Sequence, residues 1–317
     1  MTQPYLSKYS AEFVLDFGSE DRFVFRASDS YHLDRFVDPD LLERVEKCHI
    51  YLVCKRPHIS LIPDSIRVEP DAVRFQVNFK LDGSQHCAAM EIPRKLFRPD
   101  EIVFEASPPP HRELISRNNS GEIVMKTLLV NFVHLMPTID ARASDLEVVY
   151  VGKGLSARKR LMKHETLQQI LAQIHSNEPD SEIFALLYRF RYRKNLLSLV
   201  GTQAEISGDL ARLHNEKALK YKPSEEIKIS LVEASLIAHF RPVFNSHYLD
   251  FPNRRQTILR GVYEADIAAI LVQLDNTNIG DQRIYAKGIA SSSIHNVVVD
   301  FRRLEGKPSF FDAKLAT

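Results

Sequence analysis

The sequence predicts an α+β protein: a small mixed sheet flanked by helices, preceded by a β-rich α+β N-terminal domain. Short alternating or β-branched segments such as 73–79 fill the first part, with one helix expected over 38–47. A Pro-rich stretch at 107–111 interrupts this pattern, and longer helical segments follow it. These observations predict a recognition or partner domain at 1–106, a linker at 107–111, the helix-flanked sheet at 112–250 and a C-terminal α/β extension at 251–317.

A strand, a glycine turn and a helix follow one another near the middle of the chain. Residues 147–151 are β-branched, aromatic or acidic and predict a strand, which the Gly-Lys-Gly turn at 152–154 ends. Glycines in such a turn let the backbone approach a ligand closely. A helix is expected over 157–164, where Arg160 and His164 stand four residues apart and so share one face. The turn and the helix together predict a phosphate-binding corner.

A second predicted helix, 230–240, carries an acidic residue on its apolar stripe and ends before Pro242. Glu233 lies on the same side as Leu236 and Phe240, where a carboxylate is unfavourable unless it binds a cation or forms hydrogen bonds. A hard oxygen ligand for magnesium is one explanation, and an ordinary exposed glutamate is the alternative.

These residues resemble the GIY-YIG nuclease family over about residues 124–250. Tyr150-Val151-Gly152 is similar to the second signature triplet of the family, and Arg160, His164, Glu233 and Asn245 follow in the order of its arginine, histidine, metal-binding glutamate and asparagine. No Gly-Ile-Tyr triplet precedes Tyr150. The best register of the preceding apolar segment places His134 at the position of the first tyrosine.

The resemblance implies a Mg²⁺-dependent (or Mn²⁺-dependent) endonuclease that hydrolyses phosphodiester bonds, of DNA in preference to RNA, in restriction, repair or phage defence. The catalytic residues that it implies are Tyr150, His134, Arg160, His164, Lys153 and Glu233, with Glu233 also the metal ligand. Gly152, Asn245, Arg158 and Lys163 are expected at the substrate. Tyr150 and His134 would activate water, Arg160 would bind the scissile phosphate, and Asn245 would brace the glutamate helix and neighbouring backbone.

Two other functions stay open. A chain that retains the fold without the first tyrosine is expected to bind nucleic acid without cutting it. A regulatory protein, whose first domain binds a small ligand and controls a nuclease, is the third reading. A homodimer, or a protein partner bound through residues 1–106, is compatible with each of them.

Composition favours an intracellular protein. The 317 residues are 44% hydrophobic, no run of eighteen apolar residues is present, and the N-terminal segment lacks an apolar signal core. We therefore expect a cytoplasmic location and no membrane association. Three cysteines do not indicate a disulfide framework. Cys48, Cys54 and Cys87 lie near histidines, but the close Cys-x2-Cys spacing of common zinc sites is missing.

The net charge of +1 is unevenly distributed. Residues 1–115 contain 15 Lys plus Arg against 19 Asp plus Glu, whereas residues 116–317 contain 27 against 22. The basic part is the part with the motif, and it contains three arginine-rich strips, at 158–160, 189–194 and 254–260. These strips are candidate contacts to a nucleic-acid backbone.

Overall fold

The computed structural model describes residues 6–35, 38–129, 132, 141–163, 165–198, 203–253 and 255–304. The fold is mixed α+β, which confirms the predicted class at that coarse level, whereas its large sheet does not confirm the small sheet that was expected. The described α-helices are α1 (Pro39–Glu46), α2 (Ala141–Ser144), α3 (Ala157–Lys163), α4 (Glu165–Asn177), α5 (Gly208–Lys220), α6 (Glu225–Phe240), α7 (Arg260–Glu264) and α8 (Phe301–Leu304). The described strands are β1 (Leu6–Tyr9), β2 (Ala11–Arg26), β3 (Ile50–Pro57), β4 (Ser60–Leu61), β5 (Arg67–Val68), β6 (Ala72–Leu81), β7 (Ser84–Pro93), β8 (Val103–Ala106), β9 (Glu113–Arg117), β10 (Ile123–Leu128), β11 (Leu146–Lys153), β12 (Ser181–Ser198), β13 (Gln203–Ile206), β14 (Ala269–Asp275), β15 (Ile284–Ala286), β16 (Ile289–Ser292) and β17 (Ile294–Asp300).

Eight strands form a central sheet in the order β16-β15-β11-β3-β12-β2-β14-β17. The 18-residue strand β12 pairs antiparallel with β2 on one side and with β3 on the other. β3 in turn pairs antiparallel with β11, the strand that carries Tyr150. The two ends of the sheet approach each other, because the His295 ring on β17 hydrogen bonds to the carbonyl of Ile284 on β15 at 2.9 Å. The sheet is therefore nearly closed.

Helix α6 lies inside the curve of this sheet. It packs against β3, β11, β14 and β17, and every residue from Ile229 to Ile237 is buried. A helix that is apolar on all sides is stable when protein surrounds it, and most of these residues are apolar. Ser224 caps the helix by accepting a hydrogen bond from Ile227 N at 3.3 Å, and Arg241 in the left-handed conformation ends it. Glu233 is carried into the interior by this helix.

Helices α3 and α4 cover the opposite face of the sheet. Leu161 and Ile170 pack there with Val149 and Leu187 in an apolar cluster separate from the one around α6. Because side chains alternate along a strand, neighbouring residues of β3 and β11 face different clusters. Tyr51 belongs to the cluster on the α3 side, and Tyr150 packs against it.

The predicted domain boundaries do not divide the central sheet. Strands β2 and β3 come from 1–106, β11 and β12 from 112–250, and β14 to β17 from 251–317. Backbone hydrogen bonds between segments distant in sequence join all three parts, which local composition does not reveal.

The Pro-rich stretch at 107–111 also differs from the expected linker. It connects β8 to β9 within a three-stranded sheet of β8, β9 and β10. Ser107 N donates to Glu113 O at 2.9 Å, and His111 O accepts from Leu61 N at 2.8 Å. The second bond ties the stretch to β4, in a four-stranded sheet of β4, β5, β6 and β7. Both small sheets lie between β3 and β11 in chain order.

Candidate functional site

Two tyrosines meet where β3 and β11 pair. In the antiparallel register Gly152 stands opposite Tyr51 and Tyr150 opposite Val53, so both tyrosine side chains reach the same side of the sheet. Their ring centroids are 6.0 Å apart, and each tyrosine influences the pKa of the other. Tyr51 is a site residue that the sequence analysis missed. The available signal was the triplet His49-Ile50-Tyr51 at the start of an apolar strand.

Gly152 is required by the packing of these rings. A Cβ atom at this position would lie 2.4 Å from Cζ and 2.5 Å from Oη of Tyr51, and 2.8 Å from Cε1 of Tyr150. Such distances are far below ordinary van der Waals contact. The residue expected to let the backbone approach a substrate instead makes room for the neighbouring tyrosines.

The second glycine of the turn positions the arginine. A Cβ atom on Gly154 would lie 2.7 Å from Cβ of Arg160, so the stem of this arginine crosses directly over the turn. Two hydrogen bonds attach this glycine turn to His49, the residue before β3. Gly154 N donates to His49 O at 2.9 Å, and the His49 ring hydrogen bonds to Leu155 O at 2.9 Å. Arg160 is thereby held beside the tyrosine pair.

Arg160 presents an exposed guanidinium at this site. It forms no ion pair with any carboxylate among the described residues. Its positive charge lowers the pKa of Tyr51 and of Tyr150, although the net shift of both is upward. A guanidinium without a protein partner, close to two hydroxyl groups, is suited to bind an anion.

Glu233 lies on α6, close enough for its charge to act on both tyrosine hydroxyl groups. Its carboxylate is buried and lies 3.0 Å from Lys153 Nζ, and Lys153 also donates to Ser230 Oγ at 2.8 Å. Burial raises the pKa of the Glu233 carboxyl, an effect that the charge of Lys153 opposes. The charge of Glu233 also raises the pKa of Tyr51 and Tyr150. The structure therefore brings Tyr51, Tyr150, Lys153, Arg160 and Glu233 together.

The two hydroxyl groups have different environments. Burial is the main cause that raises the pKa of each, so both are neutral phenols at pH 7. The interaction between the two groups raises the pKa of Tyr51 and lowers that of Tyr150. Tyr51 is 1% exposed, whereas Tyr150 is only partly buried. Tyr150 is consequently the more accessible of the two residues.

The Asn245 side chain hydrogen bonds to the backbone of β11. Its Oδ1 accepts from Val151 N and its Nδ2 donates to Val151 O, both at 2.9 Å. Phe244 N donates to Val149 O at 3.1 Å, so the segment after α6 runs along β11 as an additional strand-like partner. The amide thus fixes the backbone between Tyr150 and Gly152, and in this structure it is occupied by protein instead of substrate.

Arg158 must be corrected as a substrate contact. It is buried, and its guanidinium pairs with Glu46 at 3.0 Å and donates to Ser30 O at 3.1 Å. The residue attaches α3 to the N-terminal segment. His134 and His164 lie outside the described residues, and Lys163 ends α3 with its side chain undescribed.

The arginine strip on β12 is less available to a nucleic acid than its sequence indicates. Arg189 pairs with Glu20 at 3.1 Å and with Asp21 at 2.7 Å, and Arg191 also pairs with Glu20. These acidic residues come from the adjacent strand β2. Much of the positive charge expected for this strip is therefore neutralised within the sheet.

The cysteines are dispersed. Cys48 and Cys54 are buried and Cys87 is exposed, and burial raises the pKa of the Cys48 thiol to about 12. No group of three or more histidine, cysteine or acidic side chains with metal-binding geometry occurs within the described part of the chain. The Cys48 and Cys54 thiols behave as small apolar side chains of the core.

None of the described helices combines the length and the apolar character needed to cross a membrane. Comparison of the chain with family models, with curated proteins and with solved structures gives no significant match in any of the three.

Proposed function

We propose that this protein is a metal-dependent endonuclease of the GIY-YIG type, acting on nucleic acid and on DNA in preference to RNA. The observation that carries the proposal is the pairing of Tyr51 with Tyr150 across two adjacent strands, beside Arg160 and Glu233. Each of these four residues has a chemical role in phosphodiester hydrolysis, and four elements, β3, β11, α3 and α6, carry them. Packing alone gives no reason for the charges of Glu233 and of Arg160, which has no ion-pair partner among the described residues, to act on the same two tyrosines.

The first signature of the family is then His49-Ile50-Tyr51, with histidine in place of glycine, and Tyr51 takes the position that the sequence register gave to His134. The unit with the family resemblance consists of β3, β11, β12, α3 and α6. Both small sheets are an insertion between the two signature strands. This reassignment explains why no Gly-Ile-Tyr triplet stands directly before Tyr150.

The roles of the side chains follow from their surroundings. Arg160 binds the scissile phosphate, because its guanidinium is exposed and stays charged at any working pH. Tyr150, the more accessible of the two tyrosines, orients the attacking water, and the buried Tyr51 packs against its ring across the paired strands. Lys153 adds a positive charge beside Glu233 and balances negative charge in the site.

Glu233 fits the magnesium ligand that the family implies. Lys153 is its ion-pair partner among the described residues, so one monodentate cation contact accompanies a carboxylate that could also hold a metal ion. Magnesium commonly takes one or two carboxylate oxygens and completes its coordination with waters and substrate phosphates, so a single glutamate is a sufficient protein contribution. When bound, the ion supplies a Lewis acid for the leaving oxygen.

A second function is favoured by the Lys153–Glu233 ion pair. An ammonium group at 3.0 Å already offers the buried carboxylate a cationic partner within the protein. A chain in which this pair permanently replaces the metal would bind nucleic acid through Arg160 and Lys153 without cutting it. The two functions differ in one measurable property, the dependence of cleavage on a divalent cation.

The test is cleavage of labelled duplex DNA, single-stranded DNA and RNA in Mg²⁺ or Mn²⁺, with EDTA as a control. Tyr51→Phe, Arg160→Ala and Glu233→Ala are expected to lower cleavage by about a hundredfold or more. Tyr188→Phe removes a buried hydroxyl of β12, which donates to Asn276 Oδ1 at 2.9 Å, and should leave cleavage unchanged. Arg212→Ala is the matched control for an exposed helical arginine.

Cleavage that EDTA and Glu233→Ala both abolish would support the nuclease. Binding of these nucleic acids without cleavage in either cation, weakened by Arg160→Ala but not by Arg212→Ala, would support the non-catalytic function. Cleavage that persists in Glu233→Ala and in Arg160→Ala would contradict the assigned site.

A further inference from the structure

Three exposed aliphatic side chains converge on one groove of the inserted sheets. Val68 on β5 is 48% exposed, and Ile102 and Val103 at the start of β8 are 48% and 45% exposed. All three line a cavity of about 540 Å³ together with Phe104 and Ala106. We call this cavity the edge groove. Single exposed aliphatic residues are common, but several around one concave surface indicate an interaction site.

Two unpaired sheet edges line the edge groove. Within the described part of the chain, β5 pairs only with β6, and β8 pairs only with β9. Ser107 N donates to Glu113 O, so these two residues form a hydrogen-bonded pair of the antiparallel ladder. Hydrogen-bonded and non-hydrogen-bonded pairs alternate along such a ladder. The N–H and C=O groups of Phe104 and Ala106 therefore point away from β9. Main-chain donors and acceptors are therefore directed to the open side of β8.

The same reasoning applies to β5. Glu69 N donates to Ala72 O, which makes Val68 and Val73 a non-hydrogen-bonded pair and turns the main-chain groups of Val68 away from β6. A surface with apolar side chains and unpaired main-chain groups on two edges is suited to an extended chain. Helices satisfy their own main-chain groups and would leave these edges unpaired.

We propose that the edge groove binds an extended segment of another protein as an added β-strand. β8 has four residues, so the added strand would pair over about four residues. Alternate side chains of the segment would contact Val68 and Val103. The groove is also lined by Asp64 and Glu105. Glu105 is already paired with Arg117 at 2.9 Å, whereas Asp64 forms no ion pair within the described residues, which favours a segment that also carries lysine or arginine.

This inference is independent of the nuclease proposal, since no residue of the groove belongs to the tyrosine site. It gives the inserted sheets a function of their own, the recruitment of a partner protein. Because strand addition depends mainly on main-chain hydrogen bonds, the expected specificity is for alternating aliphatic residues and positive charge rather than for one sequence.

The experiment is selection of a displayed library of random dodecapeptides on the full chain, followed by affinity measurement with synthetic peptides. Val103→Lys and Val68→Lys are exposed substitutions that preserve the fold, which circular dichroism checks. Leu219→Lys, at a 60% exposed position of α5, is the matched control. The enriched peptides should alternate aliphatic residues and include a basic one. Val103→Lys should weaken them at least tenfold, and Leu219→Lys less than twofold.

Amide hydrogen exchange provides the second readout. Bound peptide should protect the amides of Val68, Phe104 and Ala106, and N-methylation of alternate peptide residues should abolish binding. The proposal is overturned if no peptide is enriched, or if the enriched peptides bind Val103→Lys as well as wild type. It is also overturned if the wild type sediments as a dimer and Val103→Lys as a monomer, because the groove would then hold a second copy of this chain.

Discussion

Replacing Gly152 by alanine tests whether the tyrosine pair is held as the structure indicates. The added Cβ would lie 2.4 Å from Cζ of Tyr51, and ordinary van der Waals contact begins at 3.4 Å, so the ring must move by about 1 Å. Overpacking of this kind typically costs about 1–3 kcal/mol of unfolding free energy. A displacement of about 1 Å at a catalytic group lowers the rate by about a hundredfold. Gly152→Ala should therefore be both less stable and nearly inactive.

The assays are urea unfolding followed by circular dichroism and the nuclease assay described above. Gly18→Ala is the matched control, because Gly18 also lies in a strand of the central sheet and no atom lies within 4 Å of its added Cβ. This control should change the unfolding free energy by less than about 0.5 kcal/mol.

A double-mutant cycle isolates the contact itself. Tyr51→Ala removes the atoms that the new Cβ would meet first, so Gly152→Ala should lose most of its effect on stability in that background. The reasoning would be refuted if Gly152→Ala matched Gly18→Ala in stability and activity. It would also fail if the destabilisation were equal with and without the Tyr51 ring, since its cause would then lie elsewhere.

Three further predictions concern buried charge and titration. Arg158→Ala should lower the unfolding free energy by about 1–3 kcal/mol, because it removes the buried partner of Glu46. Arg160→Ala should change the unfolding free energy by less than about 0.5 kcal/mol and abolish cleavage. Urea unfolding and the nuclease assay distinguish the two variants. The raised pKa of Glu233 means that the folded state binds the carboxyl proton more tightly than the unfolded state does, so this group destabilises the fold increasingly as pH rises. In urea unfolding, Glu233→Gln should be more stable than wild type at pH 8 and equally stable at pH 3. Equal stability at both pH values would contradict the burial effect. Burial lowers the pKa of His214 to about 4. The stability gained by keeping this imidazole neutral in the folded state is fully present above pH 6.5 and is lost as pH falls toward 4. In His214→Phe, acid unfolding monitored by circular dichroism should lose this pH-dependent stability of about 2–4 kcal/mol, and an unchanged pH profile would exclude it.

Local sequence patterns were sufficient for several elements near the site. β-branched residues ended by glycine predicted the strand that is β11, and the helices that are α3 and α6 followed from composition and from Pro242. These predictions succeed because strand and helix preferences depend on neighbouring residues. The positions of Tyr150, Arg160 and Glu233 along the chain were enough to place each on its element.

The partner of Tyr150 was decided only by the tertiary structure. Tyr51 reaches it through the pairing of β3 with β11, and both small sheets intervene in the chain between these strands. The sequence predicted His134, which lies outside the described residues, and could not predict Tyr51, because nothing local specifies which distant strand will pair with β11. The same limit applies to Arg158 and Arg160, two residues apart on one helix: the turn of the helix buries the first against Glu46 and exposes the second. By itself the sequence determined the residue types and their local elements. Long-range strand pairing and helix docking determined which of those residues meet.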